Sequence, residues 1–331
     1  MDGVVLLADP KSKSWEFSNK IRDYIQNEKG EDVLLKELSL SYFRNKEEDL
    51  YTPENIRRKE IFYIQDSTKA PQNWWVELML VKDLLLSASA ESVSFVLPDM
   101  FYSRKDRKDK SRVPISARTV ARTISPNLKR IITMDLHAPQ IQGFYPENMP
   151  LDNLYSFPIA VSHLRKKYFS DLENLVVVSP DTGGVDRVRA FTKRLRKANF
   201  GDSEKHNYTQ ALISKERLEA GEVNSMELVG DVKGKNVLIV DDILDSGKTL
   251  LKAADLLKEN GAEKLFCYAA HGLFTEGTEN IKQKFDVIMT SNTHYRREDE
   301  LQGVEILDVT SLFAEAIYRA QNGLSISSLF D

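Results

Sequence analysis

Short, wholly apolar runs separated by amphipathic stretches set the tightest limit on this chain. VVLLA at Val4–Ala8, LVVVS at Leu175–Ser179, VLIV at 237–240 and LFCYAA at 265–270 offer almost no polar side to water. Strands buried on both faces belong to parallel sheets covered by helices. Further strands are expected at 33–38, 61–64, Ser92–Leu97, Arg130–Met134, 226–229, 287–290 and 304–307. Helical periodicity falls between them, over 15–27, 74–89, 115–124, 159–168, 185–198, 250–260 and Thr310–Gln321. This alternation predicts an α/β fold with mainly parallel sheets. The segment 143–158, with three prolines and few periodic apolar positions, marks the expected crossing between two units, 1–150 and 151–309, with 310–331 packing back on the first. A length of 331 residues allows each unit its own core.

The richest stretch is VLIVDDILDSGKTL, residues 237–250. An apolar strand delivers Asp241 and Asp242 to a loop of Asp245, Ser246, Gly247, Lys248 and Thr249, and an amphipathic helix from Leu250 follows. Loops after parallel strands open at the carboxyl edge of the sheet, where ligands bind. Backbone N–H groups at the positive end of the helix cradle an anion, and two carboxylates accept hydrogen bonds from a sugar diol. A sugar phosphate such as ribose 5-phosphate presents both groups. A nucleotide P-loop requires glycine at position 242, where Asp242 stands, so that reading fails.

Three other stretches sit at strand ends. Met134 to Phe144, MDLHAPQIQGF, carries Asp135 and His137. By itself a lone histidine in apolar surroundings is more often structural than a ligand. In SPDTGG, Asp181 reads either as the cap of the next helix or as a ligand-facing carboxylate. Phe101 to Arg112 is dense in cations and reads either as a solvated face or as a charged edge beyond Leu97.

These stretches together resemble the ribose-phosphate pyrophosphokinases, or PRPP synthases, of the phosphoribosyltransferase-like superfamily, over nearly the whole chain. The resemblance implies two phosphoribosyltransferase-like domains, each a mainly parallel sheet flanked by helices. Residues 237–250 look like the family's phosphate loop, with Asp181, Asp241, Asp242 and Asp245 to Thr249 on the ribose phosphate; Lys248 stands where the family usually has glycine. Phe43, Asn45 and Glu47 match a loop that reaches ATP across a subunit interface, and Arg104, Lys105, Asp106 and His137 match further ATP contacts, Lys105 replacing the usual glutamine. The resemblance gives His137 and Asp181 to Mg²⁺ and makes Lys215 and Arg217 the cations of a closing catalytic loop. Lys110, Ser111, Arg112, Ser325 and Ser327 resemble a regulatory phosphate site. Residues 197–208 form a polar insertion.

The implied activity moves the β,γ-diphosphoryl group of ATP to the C1 hydroxyl of ribose 5-phosphate, in a homo-oligomer, dimer or hexamer, with shared active sites. Lys248 raises an alternative acceptor, ADP-ribose, whose 5-position carries a diphosphate. A non-catalytic regulatory homologue and a PRPP-consuming transferase are further alternatives. Formal net charge −4 gives no support for nucleic-acid binding, and no apolar run approaches membrane-spanning length. The single cysteine, Cys267, falls in an apolar run and is expected in the core of a cytoplasmic protein.

Overall fold

Apolar runs pair edge to edge into two separate sheets in the computed structural model, which describes residues 1, 3–198, 208–216, 225–296 and 298–330. By its internal contacts the chain divides into two units.

The first unit contains β1 (Val4–Ala8), α1 (Ser14–Lys29), β2 (Leu34–Glu37), β3 (Ser39–Tyr42), β4 (Glu48–Tyr51), β5 (Glu60–Ile64) and α2 (Pro71–Ser87). β6 (Ser92–Leu97), α3 (Ser116–Ile124), β7 (Arg130–Met134) and β8 (Leu151–Leu154) follow. Its sheet runs β2-β1-β5-β6-β7-β8, all parallel. Order reverses between β1 and β5, and there the loop ends are closed by their own carboxylates. Asp9 accepts from the Lys11 N–H at 2.9 Å, and Asp66 accepts from the N–H groups of Lys13 at 3.2 Å and Thr68 at 2.8 Å.

Two features of this unit go beyond the sequence reading. The loop that carries Phe43, Asn45 and Glu47 is the tip of a hairpin, β3–β4, with Tyr42 opposite Glu48 and Leu40 opposite Leu50. The proline-rich 143–158 contains β8, whose polar LDNL adds an edge strand to β7. Edge strands need little apolar signal because only part of their surface is covered.

The second unit is built from α4 (Phe157–Lys167), β9 (Leu175–Ser179), α5 (Val185–Lys197), β10 (Thr209–Glu216), β11 (Ser225–Val229), β12 (Asn236–Leu244) and α6 (Lys248–Glu259). It continues through β13 (Leu265–Gly272), α7 (Glu279–Lys282), β14 (Val287–Ser291) and β15 (Glu305–Leu307). The sheet order is β11-β10-β9-β12-β13-β14-β15, with β10–β11 the antiparallel pair. From β9 the chain goes to one side, and it later returns as β12 on the other, so the switch in order lies between β9 and β12. In such sheets that crevice is the binding position. Val176, Val178, Val237, Ile239, Leu265 and Cys267 are buried in the layer facing α6.

The last helix, α8 (Thr310–Gln321), belongs with the first unit. It packs on α1: Phe17 and Phe313 meet edge to face at 5.4 Å, and Glu315 joins Lys29, Tyr24 and Arg319. Thr293–Tyr295 also joins this unit, with the Tyr295 hydroxyl donating to the Gln65 carbonyl at 3.1 Å. Among the described residues no helix is long and apolar enough to cross a membrane.

Candidate functional site

At the switch point of the second unit, β12 continues beyond the apolar run. It carries Asp241 beside Ala269 and Ile243 beside His271, ending at Leu244. The expected strand end at residue 240 is therefore corrected. β13 extends equally far, to Gly272, and its ladder pairs with Asp241, Ile243 and Leu244 hold β12 in register on either side of Asp242. The loop is only Asp245, Ser246 and Gly247, and Lys248 and Thr249 already lie in the first turn of α6 rather than before a helix at Leu250.

Gly247 caps α6 with φ +77°, and a Cβ there would lie 2.7 Å from Ile281 Cδ1. Only glycine enters that left-handed turn without strain. The glycine this loop needs therefore stands at 247, which leaves 248 open to a side chain. Lys248 Nζ pairs with Glu276 at 2.7 Å, and its side chain is 71% exposed. The ammonium is thus paired on the solvent side of the turn. Asp245 accepts from the Thr275 hydroxyl at 2.7 Å, tying the cradle to the segment after β13.

Asp242 is buried, while Asp241 retains 30% exposure of its side chain. Desolvation and the adjacent Asp242 push the Asp241 carboxyl well above the usual carboxylate range, and Arg187 opposes that shift. Across the switch point Asp181 caps the turn that opens α5, its Oδ1 accepting from the N–H groups of Gly183 at 3.0 Å and Gly184 at 3.2 Å. Gly184 has no room for a Cβ, which would fall 2.5 Å from Ser179 Oγ. Two residues at this edge escaped the sequence reading. Arg187 reaches both carboxylates of the pair, and His271, one residue before the end of β13, lies next to Ile243. The signal for Arg187 was the aspartate pair itself, since adjacent buried carboxylates require a cation nearby.

Lys215 lies on β10, opposite Met226 of β11, so it stands in a strand rather than a loop. Arg217 and most of the 197–208 insertion lie outside the described residues.

In the first unit, Phe43, Asn45 and Glu47 occupy the tip of the β3–β4 hairpin. Phe43 is 57% exposed, its N–H donates to the Glu47 carbonyl at 2.9 Å, and Asn45 Oδ1 accepts from the Glu47 N–H at 3.2 Å. Arg104 and Lys105 are exposed on the loop after β6, where Lys105 pairs with Asp109. His137 is exposed after β7, next to Asp135 at φ +41°. Gln140 Nε2 donates to Asp106 Oδ2 at 2.6 Å, so the basic loop and the His137 loop are joined.

Two helix-flanked, mainly parallel sheets, one with an acidic pair and a glycine-capped helix start at its switch point, define a two-unit α/β protein of the class built like the sugar-phosphate enzymes. Residues 10–126 match the N-terminal domain of ribose phosphate pyrophosphokinase, and residues 201–331 match the phosphoribosyl synthetase-associated domain. The ribose-phosphate pyrophosphokinase of Hyphomonas neptunium is 36% identical over 320 residues, covering 95% of this chain and 96% of that protein. Ribose-phosphate pyrophosphokinase 4 of Saccharomyces cerevisiae is 37% identical over 303 residues, covering 90% and 88%. The crystal structure of phosphoribosylpyrophosphate synthetase from Mycobacterium smegmatis superposes with TM-score 0.84 at 27% identity, over 97% of this chain and all of that one. The chain belongs to the ribose-phosphate pyrophosphokinase family.

Proposed function

We propose that this chain transfers the β,γ-diphosphoryl group of ATP to the C1 hydroxyl of ribose 5-phosphate, giving PRPP and AMP. The observation that carries this reading is the switch-point site of the second unit, where Asp241 and Asp242 stand one short turn from the N-terminus of α6. The pair accepts hydrogen bonds from the ribose diol, while the 245–249 turn and the helix end hold the 5-phosphate. The C1 oxygen attacks the β-phosphorus, its bond to phosphorus forms as the bridge to the α-phosphate breaks, AMP leaves, and the hydroxyl proton passes to solvent. Positioning and charge stabilisation dominate such transfers, so no strong base is needed.

Arg104, Lys105, Asp106 and His137 bind ATP in this scheme, and Lys215 with Arg217 neutralise charge developing on the transferred group. Phe43, Asn45 and Glu47 serve ATP in a neighbouring subunit, which makes the working form a homo-oligomer. The exposure of Phe43 at a hairpin tip supports that assignment. His137 and Asp181 hold Mg²⁺. Asp181 would supply the carboxylate that Mg²⁺ takes beside substrate phosphates, with His137 a further contact. When bound, the ion neutralises phosphate charge. The buried thiol of Cys267 suits a reducing cytoplasm.

The test is AMP release from Mg·ATP with ribose 5-phosphate, against ADP-ribose at equal concentration. Ribose 5-phosphate is expected to be the better acceptor. AMP release with neither acceptor, or preferential release with ADP-ribose, overturns the reading.

A further inference from the structure

Neighbouring side chains on a strand leave opposite faces of the sheet, yet Asp241 and Asp242 both present an oxygen to the same nitrogen. Arg187 Nη1 lies 3.4 Å from Asp241 Oδ1 and 3.1 Å from Asp242 Oδ1. The Asp242 N–H also donates to Asp241 Oδ1 at 2.9 Å, so that oxygen is held from two directions. Arg187 leaves the first turn of α5, the helix after β9, and β9 is the hydrogen-bonded neighbour of β12. One guanidinium spans both carboxylates because the two strands meet at the switch point.

Beneath it, a Cβ at position 184 would meet Arg187 Nη1 at an ordinary 3.5 Å, and it is Ser179 Oγ, at 2.5 Å, that requires glycine there. Only 13% of the Arg187 side chain is exposed. An ion triad this enclosed is weak evidence for stability, since well-packed apolar side chains often do as well. What it does supply is a fixed arrangement. Both contacts fall on the single nitrogen Nη1, which the planar guanidinium aims in a fixed direction, whereas a lysine ammonium sits on a flexible stem.

We infer that Arg187 is a positioning residue for the acceptor: it holds Asp241 and Asp242 in the paired arrangement that accepts both hydroxyls of the ribose diol. The inference rests on the reading of ribose 5-phosphate as acceptor. Arg187 does not touch the reacting atoms, so its loss falls on acceptor affinity and leaves the ATP side alone.

The experiment compares wild type, Arg187→Lys and Arg187→Ala. Binding of ribose 5-phosphate without ATP is measured by calorimetry, KM is measured for both substrates, and melting temperature is recorded for each protein. Acceptor affinity is expected to fall roughly 10- to 100-fold in the alanine variant, the loss typical of a charge-assisted contact, and less in the lysine variant. KM for Mg·ATP is expected to stay within about twofold. Millimolar guanidinium, and not methylammonium or sodium, should restore part of the acceptor affinity of Arg187→Ala.

Variants that bind ribose 5-phosphate as wild type does overturn the inference. So do variants that lose affinity for both substrates in step with melting temperature and gain nothing from guanidinium. Those outcomes leave the proposed function standing. Wild-type protein that neither binds ribose 5-phosphate nor releases AMP overturns both.

Discussion

Lys248 and Glu276 form an ion pair of 2.7 Å on the solvent side of the turn that caps α6. The charge that suggested an altered acceptor from the sequence lies beside a carboxylate of a neighbouring loop. Exposed pairs of this kind contribute about 0–1 kcal/mol. Lys248→Gly and Glu276→Gln should each change stability by less than about 1 kcal/mol in denaturant titration, and KM for ribose 5-phosphate by less than about threefold. A switch to ADP-ribose as preferred acceptor in wild type, lost in Lys248→Gly, would contradict this assignment.

Gly247 is the opposite case. Its φ of +77° and the 2.7 Å approach of a Cβ to Ile281 Cδ1 leave no comfortable place for a side chain. Gly247→Ala should cost about 1–2 kcal/mol from the backbone alone. Because the strain sits in the anion turn, KM for ribose 5-phosphate should rise with it. Shortening Ile281 in the same background removes the collision and leaves the backbone penalty, so recovery is expected to be partial, as read by thermal melting and acceptor KM.

Glu315 connects α8 to α1. Burial pushes its carboxyl up, but hydrogen bonds from Lys29, Arg319 and Tyr24 outweigh burial and hold it below the usual glutamate range. A group with a lowered folded-state value stabilises the protein above its ordinary value, about 4.3, and loses that contribution as pH falls through the folded value. Glu315→Gln should therefore melt below wild type at neutral pH, with the gap closing below about pH 4. A gap that stays constant across the acid range would show that the contact is not electrostatic.

Asp241 has the reverse sign. Its carboxyl is held above the usual range by desolvation and by Asp242. The folded state therefore penalises its ionised form, little below about pH 4 and more as pH rises toward the folded value. Asp241→Asn should melt higher than wild type at pH 7 to 8, should match it in acid, and should lose ribose 5-phosphate binding. Greater stability with weaker function is the usual mark of a site held for its chemistry.

Most of the strands and helices were legible in the sequence. Val4–Ala8, Ser92–Leu97, Arg130–Met134 and Thr310–Gln321 agree to the residue, because each strand is a mostly apolar run buried on both faces and the helix has one clear apolar face. The hairpin β3–β4, the edge strand β8 and the continuation of β12 through Asp241 were not. Their strand character comes from a partner's ladder of hydrogen bonds, which a local pattern does not record. The same limit applies at the site. Asp241, Asp242 and Gly247 advertise themselves by standing after a buried strand, whereas Arg187 is one arginine among several on α5. Its meaning comes only from the neighbouring strand.

The return of the chain from Val309 onward to α1 also sets an order of events during synthesis. Phe17 emerges from the ribosome long before its companion Phe313. Until then one face of α1 stays wet, so the unit begun first is finished last. A premature stop before Val309 therefore harms the first unit, far along the sequence from where the error lies.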